Sequence, residues 1–397
     1  MWPILIALAI TPRAALEEAK QICTEDAGRL WGKSLCGPLM LVDPSTRRVS
    51  ANQADANGVL AEDSGLWTGT LPANVGIANT ALEWSGTLWT MLGLPLPEDA
   101  VRRRRLLAHE MYHRIQNAVQ RAPRDAANDH LETELGRLWL RLEFRALDAA
   151  LASSGDARRQ AITDALAFRD ERYRTFPEAR RQETAMEAGE GLAEYTGFAL
   201  DGQPLDKKLA AAREQLRAER PSYVRSFAYL SGPAWGLLLD EADPGWPRRI
   251  GVWVDLPQRV ADALQIKPNA LLAAERSVSY GGADLRKEEA ARAKAIADRR
   301  ASFKARFIDG PTMKFTLTPK MSFTFNPNTV EILPGEGTYY PTMEVSDVWG
   351  VLHVTGGALM GRSWESVRVS LAEEGKSWTL ELKPGWTRSS NAVVRSQ

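Results

Sequence analysis

Apolar residues at helical spacing mark the chain between residues 98 and 202. One stripe recurs every three or four positions and predicts a helix over residues 101–121. This stripe consists of Ala108, Met111, Tyr112, Ile115 and Val119. Similar stretches, bounded by turn residues, predict helices over residues 131–153, 157–175, 178–200 and 223–241. The middle of the chain should therefore form a helical core.

β-rich and alternating residues mark the regions on either side of this core. Asn57-Gly58 is a hairpin signal, and residues 79–92 are rich in Thr, Trp and Leu. After residue 306, short β-rich stretches separated by Gly, Pro and Asn, among them residues 322–325 and 338–345, predict the strands of an all-β domain. Residues 284–305 are dense in charge and predict a solvated connecting helix. The expected fold class is α+β, with a helical core, an N-terminal β segment and a C-terminal all-β domain.

These patterns divide the 397-residue chain into five segments. We predict a signal segment over residues 1–15, a β-containing segment over 16–97 and a helical core over 98–283. The connecting helix (284–305) and the C-terminal β domain (306–397) complete the chain. Acidic and basic residues balance at 50 each, so we expect no nucleic-acid partner.

The apolar start of the chain indicates export. Met1 to Ile10 are almost wholly apolar, too few to span a bilayer, and Ala7-Leu8-Ala9 resembles a cleavage site. The alternative is an ordinary buried strand. Cys23 and Cys36 are the only cysteines, and in an exported protein we expect them to form a disulfide. The prediction is a secreted or periplasmic protein without a stable membrane span.

The motif His109-Glu110-Met111-Tyr112-His113 carries the candidate chemistry. On a helix, two histidines four residues apart point the same way and can bind one Zn²⁺. Glu110 lies on the neighbouring face, where it reaches a water on the metal rather than the metal itself. Zinc acidifies such a water, and a glutamate can accept its proton. Glu110 is therefore the predicted general base.

A catalytic zinc needs a third protein ligand from another element. Four glutamates recur at helical spacing within residues 183–194, so they should lie on one stripe. They are Glu183, Glu187, Glu190 and Glu194. A solvated acidic face is the alternative, but small and apolar residues flank the stripe and few cations compensate it. A row of carboxylates is tolerable beside a divalent cation.

Part of this helix resembles a motif of gluzincin-type metallopeptidases. Residues 190–195, Glu-Gly-Leu-Ala-Glu-Tyr, are similar to their Glu-Gly-hydrophobic-Ala-x-Tyr pattern. The resemblance implies that residues 98–283 form a zincin-like catalytic core. It also implies that Glu190 is the third zinc ligand, that Glu194 bonds a ligand histidine and that Tyr229 donates to the transition state. The 76 residues between His113 and Glu190 exceed the gap in many members. The layout also resembles that of exported bacterial proteins.

Other residues offer further candidates around the ligands. Glu187 and Glu143 are expected near them, although Glu143 can instead form a buried ion pair with an arginine. His130 is an alternative third ligand or a structural residue at a helix start. Tyr229 can also be a core tyrosine. His353 should be an ordinary strand residue.

The motifs together predict a zinc metallopeptidase that acts on a peptide or protein. One alternative is a non-enzymatic envelope protein with a structural or degenerate zinc site. Another is a zinc hydrolase of non-peptide amides. The intact Glu110 favours an enzyme, because a structural zinc site needs no base at that position.

Overall fold

The computed structural model describes residues 10–120, 127–251, 254–326 and 329–396. The chain forms two compact units, and the boundary falls between Glu289 and Ala290. The first unit combines a sheet with many helices, and the second contains the end of a long helix followed by antiparallel strands. The architecture is α+β, as predicted. The predicted signal segment lies largely outside the described residues, and the division into five segments remains a prediction.

A six-stranded sheet follows the first helix of unit 1. Its order is β3-β4-β2-β1-β6-β5, and only the β1–β6 pair is parallel. The elements are α1 (Pro12–Asp26), β1 (Leu39–Val42), β2 (Arg48–Ala51), β3 (Ala61–Asp63), β4 (Leu66–Thr70), β5 (Thr80–Trp84) and β6 (Thr87–Gly93). We did not predict α1, although Thr11 caps its first turn and Pro12 opens it. Cys23 on α1 is bridged to Cys36.

The remaining helices of the chain follow this sheet. They are α2 (Ala100–Val119), α3 (Glu134–Ala152), α4 (Gly155–Thr175), α5 (Ala179–Met186), α6 (Leu192–Leu200), α7 (Leu205–Arg217), α8 (Phe227–Ala242), α9 (Leu256–Ala263), α10 (Ala273–Arg276) and α11 (Gly282–Lys304). Short 3₁₀ turns lie at Asp129–Glu132, Trp246–Arg249, Ala270–Leu272, Ser277–Tyr280 and Leu371–Glu373, and π turns at Glu187–Gly191 and Ala305–Asp309. Where one helix was expected over residues 178–200, the π turn Glu187–Gly191, hereafter the wide turn, separates α5 from α6.

Small residues let the helices around the motif approach closely. A Cβ atom on Gly197 of α6 would lie 2.9 Å from the carbonyl oxygen of Arg105 on α2. On α8, a Cβ on Gly232 would lie 2.4 Å from the Cα of Gly191. Because real Cβ atoms do not approach so closely, only glycine fits at these crossings. The wide turn and α6 are thus held against both α2 and α8.

Unit 2 is a sandwich of two antiparallel sheets over one apolar core. One sheet has the order β7-β14-β13-β10-β9 and the other β15-β12-β11-β8, with β16 and β17 as a separate pair. The strands are β7 (Thr312–Thr316), β8 (Ser322–Phe325), β9 (Glu331–Leu333), β10 (Gly337–Tyr340), β11 (Met343–Asp347), β12 (Gly350–Val354), β13 (Ala358–Gly361), β14 (Ser366–Ser370), β15 (Trp378–Leu382), β16 (Trp386–Arg388) and β17 (Val393–Arg395). Residues 338–345, expected as one strand, contribute to both sheets.

No helix among the described residues is long and apolar enough to cross a membrane.

Candidate metal centre

Helix α2 holds both histidines of the motif in the interior of unit 1. Asp99 caps its first turn by accepting a hydrogen bond from the backbone N–H of Arg102 at 2.8 Å. One turn later, Arg105 forms an ion pair with Asp201 just beyond α6 at 2.7 Å. His109 and Glu110 are buried, with 5% and 4% of their surfaces exposed. The helix therefore presents the motif to the protein interior.

Three side chains from two elements converge on one point. The Nε2 atoms of His109 and His113 lie 3.0 Å apart. An oxygen of Glu190 in the wide turn lies 3.5 Å from the first Nε2 and 3.4 Å from the second. Ligands about 2.0–2.1 Å from a tetrahedral zinc are themselves about 3.3 Å apart, so the three distances fit such an ion. This set of donors, the metal group, can hold a metal ion.

The other ring nitrogens of the histidines have partners that orient them. Nδ1 of His109 lies 2.9 Å from a carboxylate oxygen of Glu194. Nδ1 of His113 lies 2.9 Å from the side-chain oxygen of Gln116. These contacts make Nδ1 the donor on each ring and leave Nε2 for a metal. We did not predict Gln116, although its position three residues after His113 on the same helix was a readable signal.

The protonation of the metal group follows from its carboxylates. Burial disfavours a charged His109, but the Glu190 and Glu194 carboxylates prevail and raise its pKa to about 10. Burial also opposes ionisation of Glu190, and the two imidazoles nevertheless hold its pKa well below the usual range. A proton on His109 therefore offsets the carboxylate charge, and a metal ion must displace that proton to bind.

Glu110 lies beside the metal group without belonging to it. Its nearer oxygen is 4.0 Å from Nε2 of His109. Its other oxygen is buried and has no hydrogen-bond partner among the described residues. Burial raises the pKa of Glu110 above its ordinary value. A buried carboxylate without a protein partner needs another donor, and a water molecule between it and the metal group is the simplest one.

Tyr229 reaches the same point from α8. Its hydroxyl donates to an oxygen of Glu190 at 2.5 Å, and its ring stacks on that of His109 with centroids 5.7 Å apart. Burial and the nearby Glu190 carboxylate raise the pKa of this phenol, so it remains a donor. Contact between Gly191 and Gly232 allows α8 to approach this closely. Tyr229 thus lies at the candidate site rather than in the core alone.

The wide turn divides the expected stripe of four glutamates. At its end, the Leu192 N–H bonds the Glu187 carbonyl, five residues back instead of four. The turn thus accommodates one extra residue, which offsets the faces before and after it by about 100°. Glu190 and Glu194 reach the histidines, while Glu183 and Glu187 point elsewhere.

The structure places Glu187 and Glu143 in a buried ion cluster, not around the histidines where we expected them. The cluster contains Glu143, Arg169, Arg172, Glu183 and Glu187. Arg169 binds Glu143 and Glu187 at 2.7 Å each, and Arg172 binds Glu143 and Glu183 at 2.7 and 2.6 Å. Of the two alternatives for Glu143, the buried ion pair is therefore the one observed.

The other two histidines have local partners. Nε2 of His130 lies 2.7 Å from Glu183 of the ion cluster, so His130 takes no part in the metal group. His353 lies on β12 in unit 2, with Nδ1 3.0 Å from a Glu344 oxygen on the neighbouring strand. His130 thus has the structural role given above as its alternative, and His353 is a strand residue, as predicted.

Comparisons of the chain with family models, with curated proteins and with solved structures find no match. The gluzincin resemblance therefore remains a prediction, and the case for a function depends on the residues of the site.

Proposed function

We propose that this protein is a zinc-dependent hydrolase that cleaves peptide bonds, with Glu110 as its general base. The observation that carries the proposal is the buried Glu110 oxygen that has no partner among the described residues, beside three donors spaced for one ion. A zinc site that only stabilises a fold is usually closed by four protein ligands. The described donors number three, which leaves a position for water or substrate.

Each residue of the site has a distinct task in this proposal. His109, His113 and Glu190 would hold the ion, while Glu194 and Gln116 fix the two imidazoles. A bound zinc ion supplies an electrophile that acidifies water and polarises a carbonyl group. Glu110 accepts the proton of the attacking water and passes it to the leaving amine. The Tyr229 hydroxyl, already at Glu190, can turn to donate to the oxyanion.

A peptide is the substrate class that the neighbouring sheet favours. β5 (Thr80–Trp84) is one of the two edge strands of the six-stranded sheet, and it packs against α2, which carries the motif. An edge strand offers backbone donors and acceptors to an extended chain. A peptide could therefore pair with the edge of the sheet that packs against the motif helix.

We propose that the protein is exported from the cytosol. The Cys23–Cys36 disulfide belongs in an oxidising environment, because cytosolic thiols are kept reduced. The apolar run Met1–Ile10 gives independent support from the sequence.

Glu110→Gln tests the function, because it preserves the side-chain shape and removes the base. Zinc content should stay near wild type, while hydrolysis of an unbiased peptide library should fall by about two to four orders of magnitude. His113→Ala is the matched variant that should lose both zinc and hydrolysis. A Glu110→Gln protein that cleaves as fast as wild type would exclude this mechanism. Wild type that binds zinc but cleaves no peptide would favour the binding-protein alternative.

A further inference from the structure

The position of Glu190 depends on the wide turn. This residue lies inside the turn, and the ladder on either side of it is α-helical. If the turn relaxed to a regular α-helix, Glu190 and Glu194 would rotate by about 100° relative to Glu183 and Glu187. Two of the four glutamates would then leave their partners. The turn must therefore be held in place by its surroundings.

Contacts from three helices hold the turn. On α4, Arg169 forms two hydrogen bonds with the Glu187 carboxylate, at 2.7 and 2.8 Å. On α8, the backbone of Gly232 lies against that of Gly191. At the end of α2, the Gln120 amide donates to the carbonyl of Ala188. The first two contacts anchor the turn to helices that contribute no histidine.

Gln120 differs because it belongs to the segment that carries the histidines. It directly follows the last residue of α2, and its backbone N–H bonds the Gln116 carbonyl at 2.8 Å. Gln116 in turn orients His113. The Gln120 side chain is 3% exposed, and its amide also donates to the Tyr112 hydroxyl at 3.2 Å. One buried amide thus links the histidine helix directly to the turn that presents Glu190.

We propose that Gln120 is a positioning residue of the metal group, whose hydrogen bond to Ala188 sets the distance between Glu190 and the two imidazoles. The inference rests on the metal site of the proposed function, but it does not depend on hydrolysis. Removing this bond leaves all three metal ligands in the chain, but it no longer fixes the distances between them. Residues that orient metal ligands from outside typically contribute about 10–100-fold in affinity. We expect an effect of that size.

The test measures metal binding by the full-length chain. Zinc affinity is obtained by competition with a chromophoric chelator, and Co²⁺ is added in parallel because its visible absorption reports coordination geometry. Gln120→Met removes both donors at nearly constant length, and Gln120→Glu retains the shape without an N–H. Thr196→Val on α6 is the control, because it removes two buried hydrogen bonds, from Trp31 at 3.0 Å and to the Leu192 carbonyl at 2.8 Å, and neither partner belongs to the turn.

We expect both Gln120 variants to bind zinc about 10–100-fold more weakly and to change the Co²⁺ spectrum, while Thr196→Val binds like wild type. Equal zinc affinity and an unchanged spectrum in a folded Gln120 variant would reject the inference and leave the proposed function intact. Failure of both variants to fold would make Gln120 a residue of general stability and also reject it. Wild type that binds neither metal would instead remove the proposed function itself.

Discussion

Two pairs of glutamates in the segment that contains the wide turn have different partners. Before Glu190, Glu183 and Glu187 accept hydrogen bonds from Arg172 and Arg169 in the ion cluster. From Glu190 onward, Glu190 and Glu194 face histidines. All four glutamates follow one helical spacing along the same segment. The extra residue of the wide turn rotates Glu190 and Glu194 away from Glu183 and Glu187, so the two pairs meet different partners.

The comparison shows where an external cation is needed. Within the ion cluster, three carboxylates meet two guanidinium groups that are permanently charged. In and around the metal group, no Lys or Arg is among the described partners of Glu110, Glu190 or Glu194. The protein thus supplies fixed cations to the ion cluster. At the metal group, a proton on His109 occupies the place that a metal can take.

Arg172→Met should have the largest effect on stability. It leaves the buried Glu183 without its strongest partner, and breaking a buried ion pair in this way costs about 3–5 kcal/mol. Zinc stoichiometry should be retained, because Arg172 pairs with Glu143 and Glu183 and with no member of the metal group. Urea unfolding of the metal-free protein measures the change.

Arg174→Met on the same helix is the matched control for this experiment. Its side chain is 64% exposed and pairs with Glu171, so its loss should leave the free energy of unfolding close to that of wild type. If the two substitutions lowered the free energy of unfolding equally, the ion cluster would contribute no more to stability than an exposed ion pair.

The sequence predicted one side of this comparison better than the other. His109 and His113 were readable from their spacing, and Glu190 and Glu194 from a local motif. The ion cluster was not, because Arg169 and Arg172 lie on α4, outside the acidic segment. Periodicity within one helix does not show which cations a neighbouring helix supplies.

The wide turn was also beyond prediction, for a related reason. An α-helical wheel places Glu183, Glu187, Glu190 and Glu194 on one stripe, and the extra residue becomes visible only through the Leu192-to-Glu187 hydrogen bond. In unit 2, β8 occupies the predicted Ser322–Phe325, whereas residues 338–345 break into β10 and β11. Local alternation predicts strands, but it does not assign them to a sheet.

Zinc itself should stabilise the protein, and this effect should require only the metal group. A ligand that binds the folded state at 100 times its Kd contributes about 2.7 kcal/mol. We expect zinc to raise the free energy of unfolding of wild type and of Arg172→Met alike. Glu190→Gln should abolish most of the increase, as measured by urea unfolding with zinc or with a chelator. A full increase in Glu190→Gln would mean that the ion binds elsewhere.

Glu194→Ala should weaken zinc binding without removing it. The carboxylate orients His109 through Nδ1, and loss of such a partner typically reduces metal affinity by about 10–100-fold. Chelator competition measures the change. Glu178→Ala is the control, because that carboxylate precedes α5 and is 71% exposed. If Glu194→Ala bound zinc like wild type, the imidazole would be oriented by packing alone.

The smallest expected effect is the pH dependence of stability, which should differ between Glu183 and Glu187 of the ion cluster. Burial opposes ionisation of Glu183, but Arg172 prevails and lowers its pKa to about 2. For Glu187, burial dominates over Arg169 and raises the pKa. The stabilising contribution of Glu183 is therefore present above its ordinary pKa and is lost as the pH falls towards 2. That of Glu187 is present at low pH and is lost as the pH rises through its raised pKa.

Glu183→Gln and Glu187→Gln should consequently respond to pH in opposite directions. Urea unfolding of the zinc-free proteins between pH 3 and 8 provides the measurement. The stability deficit of Glu183→Gln relative to wild type should shrink as the pH falls, because wild type then loses the contribution of that carboxylate. The stability of Glu187→Gln relative to wild type should rise as the pH rises. Only wild type has a buried carboxyl group at this position, and that group releases its proton more readily once the chain unfolds. Parallel pH profiles for the two variants would contradict this prediction. They would mean that the carboxyl groups of the ion cluster titrate together and that Glu187 does not differ from Glu183.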